Sequence, residues 1–313
     1  MGARIKDIAL AAKVDMTSVS RTLRNDPRAS ELRSETRERI LRIARDLGYR
    51  PNISAATIRT GVNSSTVGII SEPQGVAYQS FLFKIIEKIN SIGYGARVYC
   101  NPDLNSVLDE IVSNQIKYVV NTRNQPENWS LFDSFCRSHG VRMVYLSNVK
   151  VPGYPCFATD NRLMMKKLVL YLNHLGHQRI AYLCGVHSRM VSTRLRHQGF
   201  LDGIQECGIA VEPGMITCRD FSSRSLFHCL ETYKPTAICA IDCSFAVPAS
   251  VQLAIAGIRM PQDISLAAFG SSDALRFYTP VPITTVLEPF DELIQGMLAY
   301  LLDDSKPCFT NED

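Results

Sequence analysis

The sequence predicts an all-α helix-turn-helix head followed by an α/β body of two Rossmann-like lobes. Three observations predict this. Basic charge gathers at the N-terminus: residues 1–61 hold 13 Lys+Arg against 7 Asp+Glu, and the remainder holds 21 against 23. Apolar residues in that basic stretch recur at helical spacing in three short runs. From Thr66 onward short β-branched runs alternate with longer amphipathic ones, the rhythm of parallel sheets covered by helices on both faces.

The head is read first. Ile5, Ile8, Ala9 and Ala12 share one helical face, and a break follows at Lys13-Val14. Asp15 sits at an N-cap position, able to accept from the amide of Thr17 or Ser18. Val19 and Leu23 form the inward stripe of the second helix, and the small Ala9 allows a close approach. A third helix begins after Ser34, turns Ile40, Ile43, Ala44 and Leu47 inward, and stops at Gly48. Two short helices about a tight turn, braced by a third, present the outer face of the second: Met16, Thr17, Ser20 and Arg21. An N-terminus of that kind enters a major groove about 12 Å wide, where Arg reaches guanine O6 and N7 with two parallel bonds. The basic charge points the same way, toward a polyanion.

Residues 50–64 read as a linker whose apolar pair, Ile53 and Ile58, is odd for a solvated tether. The body follows. Strand-like runs fall at 66–70, 97–100, 117–120 and 141–146, with helical patterns near 81–92, 107–114 and 131–138 between and after them. A second set has helices at 161–175 and 193–207, and strands at 179–183, near Ile216, at 237–241 and at 264–269. A last helix runs from about Phe290 to Leu302. Two α/β sets of similar size predict two lobes with a cleft between them. The expected boundaries are 1–49 for the head, 50–64 for the hinge and 65–313 for the body. Lobe 1 takes about 65–158 plus 286–313, and lobe 2 about 159–285.

Several function classes fall away. No stretch approaches the ~18 apolar residues of a membrane span. The N-terminus lacks a signal peptide's apolar core, being interrupted by Lys6, Asp7 and Lys13. The ten cysteines contain no CxxC pair, so they read as reduced small hydrophobes in a cytoplasmic protein, and no metal site or cofactor is expected. No nucleophile–base pair, GxSxG turn or phosphate-cradling glycine loop is visible, so no catalytic residue is assigned and no enzyme is expected. His177 after Gly176 reads as a structural histidine at a helix end.

The run IKDIALAAKVDMTSVSRTLRND, followed by SETRERILRIARDLGYRPN, resembles the DNA-binding head of the lac/galactose repressor family. Asp7, Ile8, Ala9, Ala12, Val14, Val19, Ser20, Arg21 and Leu23 match its pattern. Lys13 replaces a Gly, Asp15 a Ser, Ser18 a Thr and Arg24 an Asn. The resemblance extends through PNISAATIRTG, similar to the family's hinge, and then through TDNRLMMKKLVLYLNHLGHQRIAYLCG, GIRMPQDISLAAFG and VPITTV. It implies a periplasmic-binding-protein-like body and a homodimer reading pseudo-palindromic double-stranded DNA. It also implies a hinge wedge in the minor groove at Ile58 beside Arg59, and repression controlled by a small-molecule effector.

For the effector, the resemblance implies Arg196 as the clamping cation and Phe221 as the packing aromatic. Asp242 is kept from the family pattern, Ser147 stands where the family has an Asp at a strand end, and Tyr78 stands in a segment that departs from the family pattern. Ile241 and Gly270 replace polar family residues. One guanidinium with fewer carboxylate partners favours an anionic or more apolar ligand over a plain sugar, and the expected effector is sugar-derived or anionic; Asp242 as the partner of Arg196 would instead leave a quiet pocket. Two alternatives stay open: a regulator that has lost effector response, and a free-standing small-molecule-binding protein.

Overall fold

The computed structural model describes residues 3–23, 27–49, 61–71, 76–123, 129–185, 190–210, 212–217, 223–270 and 278–309. The chain divides into two compact units, Met1–Asn63 and Ser64–Asp313. Residues 50–60 of the hinge segment, with Ile53, Ile58 and Arg59, lie outside the described residues.

In the first unit, α1 (Ile5–Ala12), α2 (Met16–Leu23) and α3 (Ser34–Asp46) enclose a small core of Ile8, Ala9, Ala12, Val19, Ile40 and Ala44. A 3-10 turn, Pro27–Glu31, links α2 to α3. Local chemistry sets both sides of the α1–α2 turn. Asp15 accepts from the Ser18 amide at 2.8 Å and from the Ser18 hydroxyl at 2.6 Å. Those two bonds hold its carboxyl below the usual range. Lys13 takes the left-handed conformation, φ 52° and ψ 49°, where Cβ meets the following carbonyl at a cost of about 1 kcal/mol. Lys13→Gly should therefore raise the head's stability by up to about 1 kcal/mol. Increased hydrogen-exchange protection of α1 and α2 amides in the full chain would register it, and unchanged protection would refute it.

One expectation fails here. Leu47 is not part of the core but exposed. The helix ends before it, Gly48 turns the chain at φ 64°, and the Tyr49 amide bonds back to the Ala44 carbonyl at 2.9 Å. Tyr49, beyond the turn, packs against the core.

The second unit holds two five-stranded parallel sheets. The first comprises β1 (Asn63–Ile70), β2 (Gly95–Tyr99), β3 (Ile116–Asn121), β4 (Arg142–Leu146) and β5 (Cys156–Phe157), in the order β2-β1-β3-β4-β5. Its helices are α4 (Val76–Ser91), α5 (Leu104–Ser113) and α6 (Trp129–His139). Alternation along the strands assigns the faces. Val67 and Ile69 of β1 pack with Ile85 and Ile89 of α4, whereas Ile70 packs with Val107 and Ile111 of α5.

The second sheet comprises β6 (Ile180–Leu183), β7 (Ile216–Thr217), β8 (Ala237–Ala240), β9 (Ser265–Phe269) and β10 (Thr284–Val286), in the order β10-β9-β8-β6-β7. One face, through Ile180 and Tyr182, meets α7 (Asn161–His174) and α8 (Val191–Glu206). The other, through Ala181 and Leu183, meets α9 (Ser223–Tyr233) and α10 (Cys243–Ile255). The sequence reading did not include α9 and α10. The α10 sequence, CSFAVPASVQLAI, shows little polar–apolar contrast and carries Pro248 inside the helix, which masks the helical period.

After β10 the chain returns to the first sheet as α11 (Phe290–Leu301), whose Ile294, Met297, Leu298 and Leu301 join the face shared with α4. Arg142 of β4 is buried and binds the end of α11. Its Nε donates to the Leu301 carbonyl at 3.1 Å, and its Nη atoms donate to the carbonyls of Asp303 and Lys306 at 3.0 and 2.9 Å. One guanidinium thus ties a carbonyl in the last turn of α11 to two in the segment that follows it.

Candidate nucleic-acid interface and ligand cavity

On the head, α2 turns Val19 and Thr22 inward and leaves its N-terminal turn outward. Met16 is 58% exposed, Thr17 is exposed, and Ser20 and Arg21 are half-buried beside them. The Arg21 Nη1 lies 3.8 Å from the Glu31 carboxylate of the 3-10 turn. A surface pair at that distance contributes little to stability. The four head residues read from the sequence thus sit on one helix, with the two at its start open to solvent.

In the body, a cavity of ≈170 Å³ lies where strand ends from both sheets converge. That is room for about six waters or one small metabolite. Five strands contribute just past their C-terminal ends: Ser147 after β4, Thr159 after β5, Asp242 after β8, Gly270 after β9 and Glu288 after β10. Ligands in open α/β sheets bind outside the carboxyl ends of strands because the loops there converge on one crevice. Phe81, Phe157, Phe269 and Phe290 give the cavity apolar walls.

Arg196 of α8 is the centre of this site. Its Nε donates to the Asn161 side-chain oxygen at 2.6 Å and its Nη1 to the Ile241 carbonyl at 3.4 Å. The guanidinium carbon lies 3.9 Å from the centroid of the Phe269 ring. Two carboxylates flank it: Asp242 Oδ2 lies 3.9 Å from Nη1, and Glu288 Oε2 lies 3.9 Å from Nη2. Asp242 also caps α10, accepting from the Ser244 amide at 2.9 Å. Asn161 continues the network, donating to the Asn148 side-chain oxygen at 2.7 Å, and Asn148 donates to the Thr159 carbonyl at 2.8 Å. Burial pushes the Glu288 carboxyl above its ordinary range, Arg196 and the Thr159 side chain pull it down, and Asp242 pushes it up.

Ser147, Arg196 and Asp242 line one cavity. Phe221 lies outside the described residues, and so does the side chain of Tyr78, whose backbone falls within α4. The expectation of an under-partnered guanidinium is corrected: Arg196 has two carboxylates beside it, and the premise for an anionic ligand goes with it. Sequence reasoning missed Glu288, because β10 was not among the expected strands. Had TTV been read as a strand, the strand-end rule would have singled out the acid two residues beyond it. Asn161 was read as a family match without a site role.

His177 stays apart from this site. Its Nδ1 lies 3.0 Å from the Thr236 hydroxyl, joining the turn after α7 to the segment before β8. No helix of the described residues is long and apolar enough to cross a membrane.

Comparison with known proteins fits this geometry. Residues 4–52 match the family model for bacterial regulatory proteins of the lacI family, and residues 169–306 match that for the periplasmic binding protein-like domain. The HTH-type transcriptional repressor CytR of Escherichia coli K12 is 27% identical over 313 residues, spanning 96% of this chain and 89% of the relative. Two solved structures share the fold. The lac repressor dimer bound to operator and the anti-inducer ONPF aligns with a TM-score of 0.74 at 21% identity, covering 100% of this chain and 96% of that one. A complex of the transcriptional regulator CelR with cellobiose aligns with a TM-score of 0.64 at 19% identity, covering 96% and 92%. With its helix-turn-helix head, its two-sheet body and relatives that are transcriptional regulators, the chain carries a head similar to that of the lacI family of bacterial regulatory proteins on a periplasmic binding protein-like body, and it is a DNA-binding transcription regulator.

Proposed function

We propose that this protein is a cytoplasmic transcription repressor that binds a pseudo-palindromic operator as a homodimer and answers to a sugar-derived small metabolite. In this reading residues 1–49 read DNA, 50–64 form the hinge, and 65–313 hold the effector and the dimer contacts. Met16, Thr17, Ser20 and Arg21 meet the major groove; Ile58 and Arg59 meet the minor groove. Ser147, Arg196 and Asp242 meet the effector, with Tyr78 and Phe221 assigned to the same site. No catalytic step is assigned to the chain.

The observation that carries the reading is the outward N-terminal turn of α2 on a basic three-helix head. An effector of sugar type is supported by the cavity itself, where aromatic walls surround a few convergent polar groups. The solved CelR neighbour holds cellobiose. Selection from random oligonucleotides should return an inverted repeat, since a two-fold dimer reads two equal half-sites. Arg21→Ala should cost about 1–3 kcal/mol of operator affinity and relax base preference at one position per half-site. Recovery of no inverted repeat, or uniform weakening across all sequences, would overturn the assignment.

A second reading has support from the internal pairing of Arg196: a body that has lost effector response. A thermal-shift series with neutral sugars separates the two, because only a responsive body is stabilised.

A further inference from the structure

We infer that Glu288 is a specificity-determining residue of the cavity: its carboxylate bars anionic ligands from Arg196 and restricts the site to neutral or cationic ligands bearing hydroxyl or amino hydrogens. This rests on the reading of the cavity as the effector site and states which ligand charge that site takes.

The argument is one of charge and space. Arg196 is the cation that a ligand anion would seek, and its Nη2 edge faces Glu288 at 3.9 Å. Its other edges are taken: Nε by Asn161, and Nη1 by the Ile241 carbonyl with Asp242 beside it. A ligand oxygen approaching Nη2 therefore comes against the Glu288 carboxylate. With both acids ionised, one positive charge faces two negative ones, and a phosphate or carboxylate adds a third in a partly desolvated cleft. A hydroxyl or amino group meets the opposite situation, since each acid presents acceptor oxygens to a hydrogen-bond donor.

Gly270 is a neighbour of the acid across the cavity. A Cβ built at residue 270 would stand at ordinary contact distance, 3.7 Å, from Glu288 Oε2. The backbone there, at φ 78°, is a conformation that most side chains resist. The side chain of Glu288 is only 12% exposed, and so costly a burial of an acid is retained beside a cation it can shield. The residue is distant in sequence from Arg196 and lies where β10 ends, so its role belongs to the folded site alone.

The test uses the full-length protein and Glu288→Gln, an isosteric neutral change, with Glu288→Asp as the charge-retaining control. Inorganic phosphate and glucose 6-phosphate are titrated calorimetrically against all three proteins, beside glucose and ribose as neutral probes. Glu288→Gln should bind phosphate or glucose 6-phosphate at least about tenfold more tightly than the unaltered protein, a gain of about 1.4 kcal/mol. Glu288→Asp should not. Equal anion binding by the unaltered protein and Glu288→Gln overturns the inference, as does failure of both to bind either anion. Unchanged thermal midpoints across the set exclude misfolding as the cause. If the anion gain appears while no neutral sugar stabilises any of the three proteins, the charge role stands and the sugar assignment fails. If sugars bind but the anion gain is missing, the assignment stands and the charge role fails.

Discussion

Arg196→Ala is expected to destabilise the body by about 3 kcal/mol, a cost typical of removing one partner from a buried ionic group. The side chain is 15% exposed and stands between Asp242 and Glu288. Without it the two carboxylates face each other and the Asn161 oxygen loses its 2.6 Å donor. The loss should depend on pH, with a definite sign. Glu288 is already raised above its ordinary value, and Arg196 is what pulls it down. Removing Arg196 raises the folded-state value further while the unfolded value stays where it was. A carboxyl shifted in that direction destabilises the fold as pH rises through the raised value, and the penalty vanishes below the unfolded value. Urea denaturation should therefore show a smaller deficit near pH 5 than near pH 8. A deficit that does not vary with pH would remove Glu288 from the account. Effector-dependent change in operator affinity should disappear in this variant, while ligand-free operator binding stays, because the head folds around its own core.

Gly199→Ala should be as damaging, although it adds only one methyl group. Its Cβ would sit 2.1 Å from the Arg162 carbonyl oxygen of α7, well inside van der Waals contact with backbone that cannot rotate away. The helices would have to separate, at a cost of about 3 kcal/mol. The same close approach positions the site. Residue 196 lies one turn before residue 199 on α8, and its partner Asn161 is the first residue of α7. Separating the helices lengthens the 2.6 Å bond between them. Stability and ligand response should fall together in urea denaturation and in effector titration. Gly296→Ala in α11 is the control. Nothing lies within 4 Å of its added Cβ, and its stability should rise by about 0.5–1 kcal/mol. A Gly199→Ala protein as stable as the control would mean that the two helices are not in the contact described.

Much of this protein is settled by short-range chemistry, and so the sequence alone carries it. The head is written in local spacing. The Ile8, Ala9, Ala12 face, the Asp15 cap and the Lys13 turn each involve residues within a few positions of one another. The body's strands and helices follow from alternation of period two and period 3.6, which is why β1, β3, β4, β6, β8 and β9 were legible. Where the period is weak, as in α10 with its Pro248, or the strand is three residues long, as in β10, local pattern carries too little signal. Leu47 shows the same limit at a helix end, where the chain turns at Gly48 and Tyr49 packs against the core.

The ligand site depends on something sequence spacing does not contain. Ser147, Asn161, Arg196, Asp242 and Glu288 come from separate strand ends and helices, and only the tertiary fold of the second unit brings them to one crevice. Whether Arg196 stands alone or between two acids is a matter of a few ångströms across that crevice. The family resemblance in the sequence implied Arg196 as the cation there. Tertiary structure decided what surrounds it, because electrostatic partners are chosen by distance in space, and a residue far along the chain counts as much as a neighbour.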